Sequence, residues 1–137
     1  EHFGKAENIL APGKAINMSD GWETRRRRNK GNDWLIFELG LTGIINQVII
    51  DTSHFKGNYP DRFSLQGTFI NKSKLKPLNN ILDQSIKWKY LINKSKLGPD
   101  NKYYFDHILI KSKINYIRLN IYPDGGIARI NIFGKIK

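Results

Sequence analysis

The chain has 137 residues, 23 of them Lys or Arg and 12 Asp or Glu, giving a formal net charge of +11. That length fits one domain with one core, and 39% hydrophobic with 12% aromatic residues is too apolar for a disordered tail. The lack of cysteine excludes disulfide scaffolds and thiolate chemistry; no apolar run reaches the ~18 residues of a spanning helix, so no membrane insertion is expected.

In chain order, the apolar residues mostly repeat every second position. Residues 33–40 alternate, with Leu35, Phe37 and Leu39 on one face and Trp34, Ile36 and Glu38 on the other. Residues 44–50 are a β-branched run that reads as a strand buried on both sides. In 63–70, Phe63, Leu65 and Phe69 share a face. A short helical turn is expected at 78–85, and further strands at 88–92 and 105–110. At 116–122, Ile117, Leu119 and Ile121 oppose Arg118, Asn120 and Tyr122; at 128–133, Ala128, Ile130 and Ile132 oppose Arg129, Asn131 and Phe133. Turn signals at Gly31-Asn32, Gly57-Asn58, Gly98-Pro99-Asp100 and Asp124-Gly125-Gly126 separate these runs. Short alternating strands with regular turns predict an all-β sandwich or barrel.

The positive charge has two parts. Ten lysines fall between Lys72 and Lys113, where 71–102 is rich in Lys, Asn and Ser. There Ile-Asn-Lys-Ser-Lys-Leu occurs twice, at 70–75 and 92–97. With twenty Ile and fourteen Asn in the chain, this reads as compositional drift rather than a duplicated hairpin. The second part is the run Arg25–Arg28.

Three polar stretches stand apart from the drift: 19–28 (SDGWETRRRR), 51–60 (DTSHFKGNYP) and 122–129 (YPDGGIAR). Each lies at a strand end, where binding residues commonly sit on loops held by a scaffold. Arg25, Arg26, Arg27 and Arg28, if extended, alternate faces, so at most two converge on one ligand. The run reads as anion recognition, structural ion pairs or nucleic-acid contact; arginine's planar fork suits a carboxylate, and no nucleic-acid motif accompanies it. His54 has Asp51 and Asn58 as loop neighbours and can exchange protons near neutral pH. His54, Asp51 and Asp124 offer an alternative divalent-metal set, without HxH or HExxH spacing; the sequence itself requires no cofactor. Arg118 and Arg129 are expected to pair with carboxylates at a sheet edge. Trp22 and Trp34 read as core or pocket-wall residues.

These stretches, with Asp33-Trp34, residues 116–129 and the closing Ile132-Phe133-Gly134, resemble the allantoicase repeat in collinear order. The likeness covers most of the chain outside 71–102, as a single repeat domain over 1–137. It implies a jelly-roll β-sandwich of the galactose-binding-like kind shared with discoidin-type domains. It also implies the hydrolysis of allantoate to ureidoglycolate and urea, in purine degradation. Family members usually carry two repeats and form oligomers, so the implied partners are a small anionic ureido substrate and a second repeat or other subunits. Set beside that reaction, Glu23, Asp51 and His54 are the acid–base candidates. Arg25–Arg28 or Arg129 would bind the substrate carboxylate, Asn58 and Asp124 the ureido groups, with Trp22 and Tyr59 completing the site. The alternative is a catalytically inactive single repeat serving as a ligand-binding or assembly module. No signal-peptide pattern opens the sequence; a cytoplasmic location is favoured on that ground and the compartment is otherwise open.

Overall fold

The computed structural model describes residues 2–4, 6–11, 13–74 and 77–137. The strands are β1 (His2–Gly4), β2 (Trp22–Thr24), β3 (Asp33–Asp51), β4 (Arg62–Thr68), β5 (Lys89–Lys96), β6 (Lys102–Phe105), β7 (Ile114–Tyr122), β8 (Gly126–Ile127) and β9 (Arg129–Ile136). The α-helix α1 (Leu78–Ser85) has the bounds that the sequence predicts.

The strands expected at 33–40 and 44–50 are two halves of one 19-residue strand, β3. Its first half pairs antiparallel with β7, from Asp33 opposite Ile121 to Glu38 opposite Tyr116. Its second half lies between β9 and β6. The register against β7 shifts between Glu38 and Gly43. At Gly43 a Cβ would stand 2.5 Å from the Lys135 carbonyl oxygen, so only glycine allows β9 to come this close. The two-glycine segment Gly40–Gly43 thus turns one strand into a shared element of two half-sheets. One half is β5-β4-β7-β3, the other β9-β3-β6. They pack face to face: the Phe63 ring of β4 meets the Phe105 ring of β6 edge-on, with centroids 4.9 Å apart. A small β1-β2-β8 sheet closes one end. The architecture is a β-sandwich, one of the two forms that the alternation predicts, and it has the jelly-roll arrangement that the family resemblance implies.

The core between the layers holds Val48, Ile50, Phe63, Leu65, Ile117, Leu119, Ile121 and Ile130, all buried. Phe63 is fully enclosed, so Phe63→Ala removes a large buried ring and is expected to cost about 3–5 kcal/mol. Urea denaturation of the two proteins checks this; a midpoint unchanged by the substitution would contradict the layer packing.

Three expectations are corrected. Residues 44–50 are not buried on both sides: Ile45, Val48 and Ile50 are buried while Asn46 is exposed. A bulge between Ile45 and Gln47 against β9 switches the inward parity from odd to even positions, which is what made the run look apolar throughout. The strand expected at 105–110 is instead β6, at Lys102–Phe105, followed by irregular chain. Phe69, expected on the inner face, lies past the end of β4 and is exposed. The two copies of the hexapeptide also differ: the second lies largely in β5, whereas the first begins irregular and enters a 3-10 turn at Lys72–Lys74, its last residue lying outside the described ones. Tertiary pairing, not the hexapeptide, decides its conformation.

Both ends of β3 lie at one end of the sandwich. The Asp33 amide donates to the Pro123 carbonyl at 3.2 Å, and Asp51 accepts from the Ala128 amide at 2.7 Å. The segment joining β7 to β9 therefore bridges the two layers at that end.

Candidate functional site at the loop end

The three polar stretches meet here, tied first by backbone bonds. β2 pairs with β8, placing Trp22 opposite Ile127 and Glu23 opposite Gly126. The Thr24 amide donates to the Gly125 carbonyl at 3.1 Å, and the Gly126 amide to the Asn58 carbonyl at 2.8 Å. Gly125 has φ +130°, and a Cβ there would lie 2.7–2.8 Å from backbone atoms of residues 58–60. A Cβ on Gly126 would run into the fully buried Phe55 ring. The glycine pair thus lets residues 22–24, 55–60 and 124–128 interlock with no side chain between them.

On this frame two side-chain links join distant stretches. Asn58 Nδ2 donates to Glu23 Oε2 at 2.5 Å. The Arg27 amide donates to Asp124 Oδ2 at 2.6 Å. Arg27 itself turns inward: Nη1 pairs with Asp33 at 2.7 Å and Nη2 donates to the Lys30 carbonyl. Arg25, Arg26 and Arg28 are exposed. Together with Arg27, Asn29 and Asp33 they line an open depression of about 460 Å³. Arg26 and Arg28 form no ion pair with any described residue. The run therefore divides, with Arg27 structural and Arg26 and Arg28 presenting cationic forks to solvent.

The other candidates hold the loops in place. His54 has φ +76°, and its amide donates to Asp100 Oδ1 at 2.8 Å. Its Nε2 meets the Ala15 carbonyl at 2.6 Å. A carbonyl only accepts, so Nε2 carries a proton, and in the neutral ring Nδ1 is the acceptor. Asp51 is buried, its Oδ1 accepting from the Ser53 amide at 2.8 Å and the Ser53 hydroxyl at 2.5 Å, which closes the turn after β3. Arg129 is buried and donates to the carbonyls of Gly13, Ala128 and Asp20. Tyr59 packs against the small cluster of Ala15, Phe55 and Ala128. Trp22 is fully buried in the main core.

The expectation that Arg118 and Arg129 pair with carboxylates is corrected. Arg129 binds backbone carbonyls, and Arg118 binds Asn120 and Ser85. Among the described residues no three His, Asp or Glu side chains gather as a metal centre would require. The set His54, Asp51 and Asp124 is not assembled, because each is turned to a different partner. Sequence reasoning missed Thr24, Phe55 and Asp100 as loop-end residues. Their roles depend on contacts across 45 to 101 positions, which no local pattern signals; Asp33 was visible only as part of the Asp33-Trp34 pair.

An all-β jelly roll with interlocked polar loops at one end places the protein among galactose-binding-like domains. A Streptococcus pneumoniae fucose binding module has this fold, with a TM-score of 0.59 over 98% of this chain and 86% of that one, at 12% identity. The family model of the allantoicase repeat matches residues 1–137, and the chain belongs to the allantoicase family. It is 47% identical over 138 residues to a probable allantoicase of Pseudomonas fluorescens strain Pf-5, covering all of this chain and 41% of that protein. It superposes on allantoicase from Saccharomyces cerevisiae with a TM-score of 0.81 and 35% identity, covering 98% of this chain and 38% of the other. The chain therefore spans about 40% of the length of the curated relatives it matches.

Proposed function

We infer that this chain is one repeat of an allantoicase-type hydrolase, converting allantoate and water to ureidoglycolate and urea at the loop end. The observation that carries this reading is the meeting of Glu23 with Asn58, and of Arg27 with Asp124, from stretches 35 and 97 residues apart. The reaction breaks one C–N bond at the carbon bearing the carboxylate and two ureido groups. The water oxygen forms the new C–O bond, and a proton goes to the departing urea nitrogen. Such a site needs a cation for the carboxylate, and Arg26 or Arg28 offers a fork not committed elsewhere among the described residues. It needs an acid–base group, and Glu23 presents a half-buried carboxylate with one oxygen held by Asn58. His54, whose Nδ1 has no partner among the described residues, is the second proton-handling candidate. A second repeat in the same polypeptide would complete the site, in keeping with relatives about 2.5 times as long.

The competing reading, a binding or assembly module, is favoured by one observation: Asp51 and Arg129 are spent on holding loops. Urea release from allantoate separates the two. The full-length protein containing this repeat should release urea, and the repeat alone should release far less. No urea from either preparation would leave only the binding module.

A further inference from the structure

The outer face of the β4–β7–β3 half-sheet carries a charge that neither the core nor the end loops use. Arg118 sits at the centre of β7, opposite Ile36 of β3 on one side and Gln66 of β4 on the other. It is 6% exposed. Its Nε donates to Asn120 Oδ1 at 2.8 Å and its Nη1 to Ser85 Oγ, at the end of α1, at 2.7 Å. The Trp34 ring stacks on it, 4.5 Å from the guanidinium carbon. No described Asp or Glu pairs with it, and Glu38, on the same face of β3, is taken by Lys72 at 2.7 Å. Nη2 has no hydrogen-bond partner among the described residues, yet it is not sealed from solvent. Burial pushes the Arg118 pKa below the usual arginine value, partly offset by the Tyr122 and Tyr90 hydroxyls.

A buried guanidinium is costly unless both its hydrogen bonds and its charge are met. Here the hydrogen bonds that Nε and Nη1 make go to neutral groups alone. Asn120 Nδ2 donates onward to Ser64 Oγ and Gln66 Oε1, and Gln66 Nε2 donates to the carbonyls of Ile86 and Trp88. This network orients the fork and leaves its charge without a counterion. Trp34 and Tyr90, both about two-fifths exposed, stand on the same face. So does Tyr122, with the Lys94 ammonium 4.3 Å from its ring centroid.

The geometry points to a carboxylate-binding site on this sheet face, with Arg118 as anchor and Trp34, Tyr90 and Tyr122 as aromatic walls. The end of the guanidinium that these bonds leave, Nη2 with the second N–H of Nη1, lies in one plane and suits a carboxylate, and the rings match a flat apolar body. The ligand class is a small planar carboxylic acid, with Lys94 adding a second positive charge nearby.

Benzoate is the probe and benzamide its neutral counterpart, followed by nitrogen-15 NMR on the chain. The Trp34 indole N–H, assigned by its loss in Trp34→Phe, should shift saturably with benzoate in the millimolar range while the buried Trp22 signal stays put. Benzamide should bind at least about tenfold more weakly, as should benzoate to Arg118→Lys, which keeps a charge but loses the fork. Because Arg118 variants risk misfolding, Tyr90→Ala on the exposed wall is the second variant, expected to weaken binding at an unchanged melting temperature. The proposal is overturned by the absence of a saturable Trp34 shift, by equal responses to benzoate and benzamide, or by undiminished benzoate affinity in either folded variant.

Discussion

Gly125→Ala is expected to destabilise the protein by on the order of 3 kcal/mol and to abolish urea release by the full-length enzyme. Gly125 holds φ +130°, a region L side chains rarely adopt, and its added Cβ would meet the Pro60 nitrogen, the Asn58 oxygen and the Tyr59 carbonyl carbon at 2.7–2.8 Å. All three are backbone atoms, so no rotamer change relieves the overlap. The Gly126 amide bonds the Asn58 carbonyl and the Thr24 amide bonds the Gly125 carbonyl, so a shift of this turn drags both neighbouring stretches. The Asn58–Glu23 and Arg27–Asp124 links would be lost together. For a domain of this size the melting temperature should fall by roughly 10 °C. Gly57→Ala is the matched control, since a Cβ there meets nothing within 4 Å. Equal melting temperatures for the two variants would show that the turn does not hold the loops together.

Period-two alternation identified β7 well. Ile117, Leu119 and Ile121 do point into the core, and Arg118 and Asn120 do take the other face. What the alternation could not show is that the second face is buried as well, because α1 and residues 86–88 are brought over it by contacts such as Gln66 with the Ile86 carbonyl. A polar residue on a strand ordinarily signals solvent; here Ser64, Gln66, Arg118 and Asn120 are buried in a network of their own bonds. The continuity of β3 was hidden for a related reason. Glycines normally break a strand pattern, whereas Gly43 is kept in the strand by pairing with both Ile114 and Ile136. Of the loop end, the polar residues and the family likeness marked the three stretches that the fold brings together. It did not separate the residues that hold the loops from those left to act, because that division is made by single long-range bonds such as His54 to the Ala15 carbonyl.

That division makes Glu23→Gln the decisive substitution for the proposed reaction. Glutamine keeps the length of Glu23, and its amide oxygen can still accept from Asn58 Nδ2, so the loop geometry and melting temperature should be nearly unchanged. What is lost is the ability to carry a proton between water and the departing urea nitrogen, a contribution of about 10²–10⁴-fold. The expected result is therefore a kcat lowered by at least about a hundredfold with KM little altered, since the substrate carboxylate is assigned to Arg26 or Arg28. His54 requires a different replacement, because it sits at φ +76° and alanine would add backbone strain to the loss of the imidazole. His54→Asn tolerates that backbone better and removes the Nδ1 acceptor. A His54→Asn enzyme with normal kcat and a lowered melting temperature would assign the histidine to holding the Ala15 loop and leave the proton work to Glu23. A Glu23→Gln enzyme within tenfold of the parent would remove Glu23 from the chemistry and place it, with Asn58, among the groups that merely tie the loops.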